Sequence, residues 1–307
     1  MPRVESSDVE AREGFARNGA LRLHYLSHTS VLGSPSAIAT TGRTGFAPET
    51  PCSRTGLSCL ILLLHGFPDD HRTWDPLVPA LATRFRVITP DLRGYGGSDK
   101  PAGVEHYRME KLVADVIALL DHLGERDAIL IGHDWGGAIA QNVALYYPQR
   151  VRRLILLNMP HLSGLRRELA ANRAQQAASA YARFFQDFLA SGPYDAGTFL
   201  RQLRGIRHPL RAIDVLRRSS VTAMLDYYRA NFPRPPYTFV DDAPRRNLKV
   251  PTLILFGEDD PYVLIDCVGD NQRWFDAPCK IVPIAAAGHW VHHDATRRVL
   301  AEMLAWL

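Results

Sequence analysis

Four cysteines in 307 residues, none of them in a Cys-x-x-Cys pair, leave the chain without a zinc-ribbon or thioredoxin-like signature. Cys52, Cys59, Cys267 and Cys279 are therefore expected as reduced, unliganded thiols. Massed charge of one sign is also missing. Lys and Arg number 36 against 32 Asp and Glu, a formal +4 spread along the chain, and no basic heptad region accompanies it. Nucleic acid is excluded as a partner, and the arginines gathered between 166 and 218 read as exposed faces of helices. Long apolar runs are absent too, and Met1 to Arg12 carries mixed charge without an apolar core. Neither a secretory leader nor a membrane anchor is expected, and a cytoplasmic protein follows. The sequence leaves a homodimer open and signals no metal or organic cofactor.

What the chain does have is apolar content, 46% of its residues, enough for one large domain or one domain with an inserted lid. Gly14–Arg17 and Leu21–Ser27 flank Asn18-Gly19, a dipeptide suited to a two-residue turn, so an antiparallel pair opens the chain. From 28 to 57 the sequence is rich in Ser, Thr, Gly, Pro and Ala without period, which reads as an irregular surface insertion. Six short apolar runs follow: Leu60–Leu64, Phe85–Ile88, Ala128–Ile131, Leu154–Leu157, Thr252–Phe256 and Ile281–Ile284. They read as strands buried on both faces. Between two of them, Met109, Leu112, Val113, Val116, Ile117, Leu120 and Leu123 recur at helical steps. Such alternation predicts an α/β fold with a mostly parallel sheet covered by helices on both faces and functional residues at the strands' carboxyl ends. Between residues 157 and 250 the pattern turns helical, so a helical cap over 159–240 is expected to be inserted into a core made of 1–158 and 241–307. Within it Phe184, Phe185, Phe188 and Leu189 would face the core or the active-site mouth, the cap's own core being the preferred reading.

The chemistry centres on Gly132-His133-Asp134-Trp135-Gly136-Gly137, between an apolar run and a helical pattern. Small-x-nucleophile-x-small is the nucleophile elbow, a tight strand-to-helix turn whose central side chain stands exposed. Here that side chain is a carboxylate. A serine attacking an alkyl carbon would leave a stable ether, whereas a carboxylate leaves an ester that water can reopen at its own carbonyl. Asp134 therefore implies substitution at carbon, on an epoxide or an alkyl halide. Asp is also a preferred N-cap, and capping the helix near Trp135 is compatible with that role.

His289 follows the last apolar run, where neutral imidazole would take a proton from water near neutral pH. Its neighbours His292 and His293 read as the exposed first turn or the cap region of a helix over 295–307. An acid is needed to orient the imidazole, and Glu258, Asp259 and Asp260 offer three after another run. Spacing does not choose among them. The order nucleophile, acid, histidine is that of the α/β-hydrolase fold, in which backbone N–H groups after the nucleophile and after an earlier strand form the oxyanion hole. Those are the amides of Trp135 and Phe67.

The sequence resembles the epoxide hydrolases of the α/β-hydrolase superfamily over residues 58–307. The matching segments are His65-Gly66-Phe67-Pro68, Asp91-Leu92-Arg93-Gly94-Tyr95-Gly96, the elbow, Asn158-Met159-Pro160-His161, Gly257-Glu258-Asp259-Asp260 and Gly288-His289-Trp290. The resemblance makes Asp260 the orienting acid, with Asp259 as the fallback. It also implies two cap tyrosines that grip the epoxide oxygen, Tyr181 and Tyr228, the latter with Tyr227 as a rival. Phe67 and Trp135 would line the substrate site with them. The implied reaction converts a small-molecule epoxide and water into a vicinal diol through an ester on Asp134. A haloalkane dehalogenase shares the aspartate but commonly has an asparagine where Phe67 stands. A non-catalytic ligand binder would not require the water-activating pair Asp260 and His289.

Overall fold

The run Leu60–Leu64 forms strand β3, and all five of its side chains are buried. Alternation divides them between two cores, Leu60, Leu62 and Leu64 on one face and Ile61 and Leu63 on the other. A strand covered on both faces has no wet side, so its sequence shows no polar alternation. The same division recurs in β4 (Arg86–Pro90), β5 (Ala128–His133), β6 (Val151–Leu157) and β7 (Thr252–Gly257). These strands belong to a computed structural model that describes residues 9–30, 59–188, 203–204, 206, 208–241 and 246–307.

With β1 (Val9–Asn18), β2 (Leu21–Ser30) and β8 (Cys279–Ile284), the sheet has eight strands in the order β1-β2-β4-β3-β5-β6-β7-β8. β2 runs antiparallel to β1 and β4, and every later pairing is parallel. Helices α1 (Val78–Ala82) and α10 (Thr296–Trp306) contribute to one core, and α2 (Met109–His122) and α3 (Trp135–Tyr146) to the other. α2 buries Leu112, Val113, Val116, Leu119 and Leu120, the face its three- and four-residue spacing defines. Between β6 and β7 the described regular elements are all helices: α4 (Leu162–Ala171), α5 (Arg173–Ala178), α6 (Ala180–Asp187), α7 (Pro209–Arg218) and α8 (Val221–Asn231). Among the described residues no helix is long and apolar enough to cross a membrane.

Several expectations need correction. The hairpin turn is Gly19-Ala20, one residue later than Asn18-Gly19, because Asn18 pairs with Leu21 and Gly19 takes the positive φ of 61°. Asn18 stays in the strand and donates from Nδ2 to Asp115 Oδ1 at 2.8 Å. β2 continues through His28 to Ser30, so the expected insertion does not begin at 28, and its remainder, 31–57, lies outside the described residues. β8 is not buried on both faces: Lys280 and Pro283 are exposed, since the strand closes the edge of the sheet and has one neighbour. Cys59 is disulfide-bonded, whereas Cys267 and Cys279 are free. Uniformly reduced thiols were the wrong expectation, and a reducing compartment disfavours such a bond. In α6, Phe185 is fully buried but Phe184 is exposed; Phe188 is half-buried just beyond the helix, and Leu189 lies outside the described residues.

Candidate active site

At the carboxyl end of β5 the chain turns into α3 within one residue, and that residue is Asp134, at φ 51° and ψ −122°. A non-glycine residue there is strained, and close packing must hold it. Two glycines make the packing possible. A Cβ on Gly136 would lie 2.0 Å from the Leu64 carbonyl oxygen, and one on Gly66 would lie 2.4 Å from the Cβ of Asp134. Asp134 holds the N-cap position of α3 but makes no capping hydrogen bond, which corrects the expected second role. Its Oδ1 instead accepts from the Phe67 amide at 2.8 Å.

His289 follows β8 and stands between two carboxylates. Nδ1 is 2.7 Å from Asp260 Oδ2, and Nε2 is 3.5 Å from Asp134 Oδ2. Asp260 is buried, whereas Glu258 and Asp259 are exposed, so the strand end delivers one acid of the three. Asp260 Oδ1 accepts from the amides of Tyr262 at 2.8 Å and Val263 at 3.1 Å, which fixes its orientation. Burial alone would lower the His289 pKa, but Asp260 and Asp134 hold it up at about 10. Burial alone would raise that of Asp134, and His289 with the Phe67 amide keeps it below the usual carboxylate range. Both shifts favour the charged forms, a carboxylate beside an imidazolium.

Helix α8 brings Tyr228 to the site because it is tied to the loops above the sheet. The Ser220 amide donates to the Gly94 carbonyl at 3.1 Å, the Tyr227 hydroxyl to the Arg93 carbonyl at 2.7 Å, and Asn231 Nδ2 to the Tyr107 carbonyl at 2.8 Å. The Tyr227 hydroxyl is thus already engaged by backbone. Tyr228 faces Tyr181 of α6 with ring centroids 5.9 Å apart, and sits edge-on to Phe67 and Trp135. Burial and the nearby Asp134 charge hold both phenols well above their usual pKa. They remain donors at any working pH. Trp135 opens α3 directly after Asp134 and is buried. A cavity of about 400 Å³ is lined by Asp134, Trp135, Tyr181 and Tyr228, and a second of about 10 Å³ touches Asp134 from the side of His289.

Three contributors escaped the sequence reading. Asn158, which follows β6 at φ 46°, donates from Nδ2 to Asp260 Oδ2 at 2.8 Å. An asparagine tolerating positive φ straight after an apolar run was the available signal. His133 Nε2 donates to the His289 carbonyl at 2.9 Å, and burial lowers its pKa to about 3, leaving it neutral. Asp69 accepts from Trp290 Nε1 at 2.8 Å, and burial pushes its pKa up to about 6. His292 was expected to be exposed but is fully buried, 4.7 Å from the His133 ring, with Nε2 2.9 Å from Thr73 Oγ1. The short helix α9 (Val291–Asp294) turns it inward.

Among the described residues, His24, His71 and Asp91 have the donor types and spacing of a metal site. The Asp91 carboxylate already faces His24 Nδ1 at 2.8 Å and His71 Nδ1 at 2.7 Å, and accepts from the amides of His71 and Gly97. The cluster clasps β2 to the loops after β3 and β4.

The sequence matches the model of the α/β hydrolase fold family over residues 60–296. It is 31% identical over 259 residues to epoxide hydrolase 3 of Xenopus tropicalis, covering 78% of this chain and 69% of that protein. The chain belongs to the epoxide hydrolases of the α/β-hydrolase fold family. Epoxide hydrolase A of Mycobacterium tuberculosis is 28% identical over 293 residues, covering 81% and 90% of the two chains. The inhibitor-bound epoxide hydrolase of Bacillus megaterium superposes with a TM-score of 0.76 at 27% identity, covering 95% of this chain and 99% of that one.

Proposed function

We propose that this chain hydrolyses epoxides to vicinal diols in two covalent steps, with residues 159–240 acting as a cap over a core of 1–158 and 241–307. The observation that carries the reading is the placement of His289 between Asp260 and a carboxylate nucleophile, 2.7 Å from the first and 3.5 Å from the second. Asp134 attacks an epoxide carbon, the ring C–O bond breaks, and the leaving oxygen takes a proton from Tyr181 or Tyr228 as its charge develops. Ester formation removes the Asp134 charge. The His289 pKa falls, and the proton it releases returns to the phenolate, restoring the phenol.

Neutral His289, oriented by Asp260, then removes a proton from water. The resulting hydroxide attacks the ester carbonyl while the amides of Phe67 and Trp135 hold the oxyanion. The acyl C–O bond breaks, the diol leaves, and carboxylate and imidazolium are restored. No metal or organic cofactor enters the scheme.

The test is a single turnover of styrene oxide with enzyme in excess in heavy-oxygen water. The first diol should carry no label and Asp134 should acquire it, whereas label in that first diol would mean direct attack by water. A His289→Gln variant should accumulate a covalent adduct on Asp134. Halide release from chloroalkanes without epoxide turnover would replace this reading with the dehalogenase one.

A further inference from the structure

Asp134, Tyr181 and Tyr228 each line both the large and the small cavity. An epoxide ring gripped by these three groups therefore sits at the junction, with its substituents pointing to one side or the other. The two sides are very unequal, about 400 Å³ against about 10 Å³. An apolar cavity of about 150 Å³ accepts a benzene ring, and roughly 10–15 Å³ is the least that holds one water. The large side therefore takes an aryl group or a long chain, and the small side takes a water molecule.

The small side is also stiff. Tyr262, in its wall, donates from its hydroxyl to the Arg204 carbonyl at 2.7 Å. Trp290 is fixed to Asp69 at 2.8 Å, and His289 to Asp260 at 2.7 Å. Phe67 is wedged edge-on against Phe185 and Tyr228. Leu203 completes the wall as an aliphatic side chain packed against the core. Widening such a wall would break hydrogen bonds or dense packing. A substituent lodged there would also occupy the space beside His289 and Asp134 that the hydrolytic water needs.

We infer that the site selects terminal epoxides, those with their bulk on one ring carbon, and that Leu203 is a residue that sets this limit. The inference rests on the epoxide reading of the same site. Substrates carrying an ethyl or larger group trans on the second carbon are turned over less well.

The test compares kcat/KM for styrene oxide and trans-2-ethyl-3-phenyloxirane, which differ by an ethyl group on the second carbon. The wild-type chain should favour styrene oxide by at least tenfold, and a smaller ratio overturns the inference. Leu203→Ala should shift the ratio towards the ethyl compound by at least fivefold; a smaller shift removes Leu203 from the wall that matters. Should that variant fail to fold, Leu203→Val should shift the ratio in the same direction, and an unchanged ratio again removes Leu203. Failure to turn over styrene oxide at all would sink the epoxide reading itself, whereas comparable turnover of both compounds would sink this inference alone.

Discussion

Asn158 donates to the same oxygen of Asp260 that faces His289, at 2.8 Å from one side and 2.7 Å from the other. Its own Oδ1 accepts from the Gly257 amide at 3.2 Å, so the ends of β6 and β7 are joined through one side chain. Asn158→Ala should leave alkylation of Asp134 largely intact and slow hydrolysis of the ester. A hydrogen bond to a charged group contributes about 1.5–3 kcal/mol, or roughly tenfold to a hundredfold in that step. Rapid-quench mass spectrometry should show the covalent adduct building up, and unchanged adduct levels would remove Asn158 from the relay.

The pH dependence of stability follows from the ion pair. The His289 pKa is raised from 6.5 to about 10 in the folded chain, so its contribution is complete below about 6.5 and lost as pH rises through about 10. Asp134 is lowered from 3.8, so its contribution is present above that value and lost as pH falls through the folded one. Urea unfolding at pH 7 and pH 10.5 should show a larger loss for the wild type than for His289→Gln. Equal losses would mean that His289 is uncharged at rest.

Tyr181→Phe and Tyr228→Phe each keep the ring packing and remove one donor. Loss of a single oxyanion donor costs about a hundredfold to a thousandfold in rate elsewhere, and a drop of that order in adduct formation is expected here. Losing both should abolish detectable alkylation. Stopped-flow tryptophan fluorescence checks this, because Trp135 lies against Tyr228 with ring centroids 5.0 Å apart. A single variant alkylated at the wild-type rate would show that its hydroxyl does not meet the epoxide.

The central strands and the elbow were legible because each is a local pattern. Leu60–Leu64 is apolar throughout because both faces are covered, and Asp134 is announced by glycines whose missing side chains the turn requires. The choice of Asp260 among three acids was not local. It depends on which carboxylate the turn after β7 leaves buried beside His289, and only family resemblance selected it in advance. His292 was misread for the same reason. A histidine at the start of a helix looks solvated until Thr73 and His133, far away in sequence, are seen to enclose it. Cys59 carried no spacing signal, since a disulfide needs no sequence motif.

The contacts that force Asp134 into its strained turn are made by backbone: Gly136 against the Leu64 carbonyl, and β5 running directly into α3. None of them uses the carboxylate. The turn is a socket indifferent to what it presents, and the fit to the aspartate side chain comes from beyond it, at Gly66 and the Phe67 amide. Exchange of one side chain could therefore redirect the reaction without disturbing the sheet, whereas enlargement of a flanking glycine would jam the socket whatever it held.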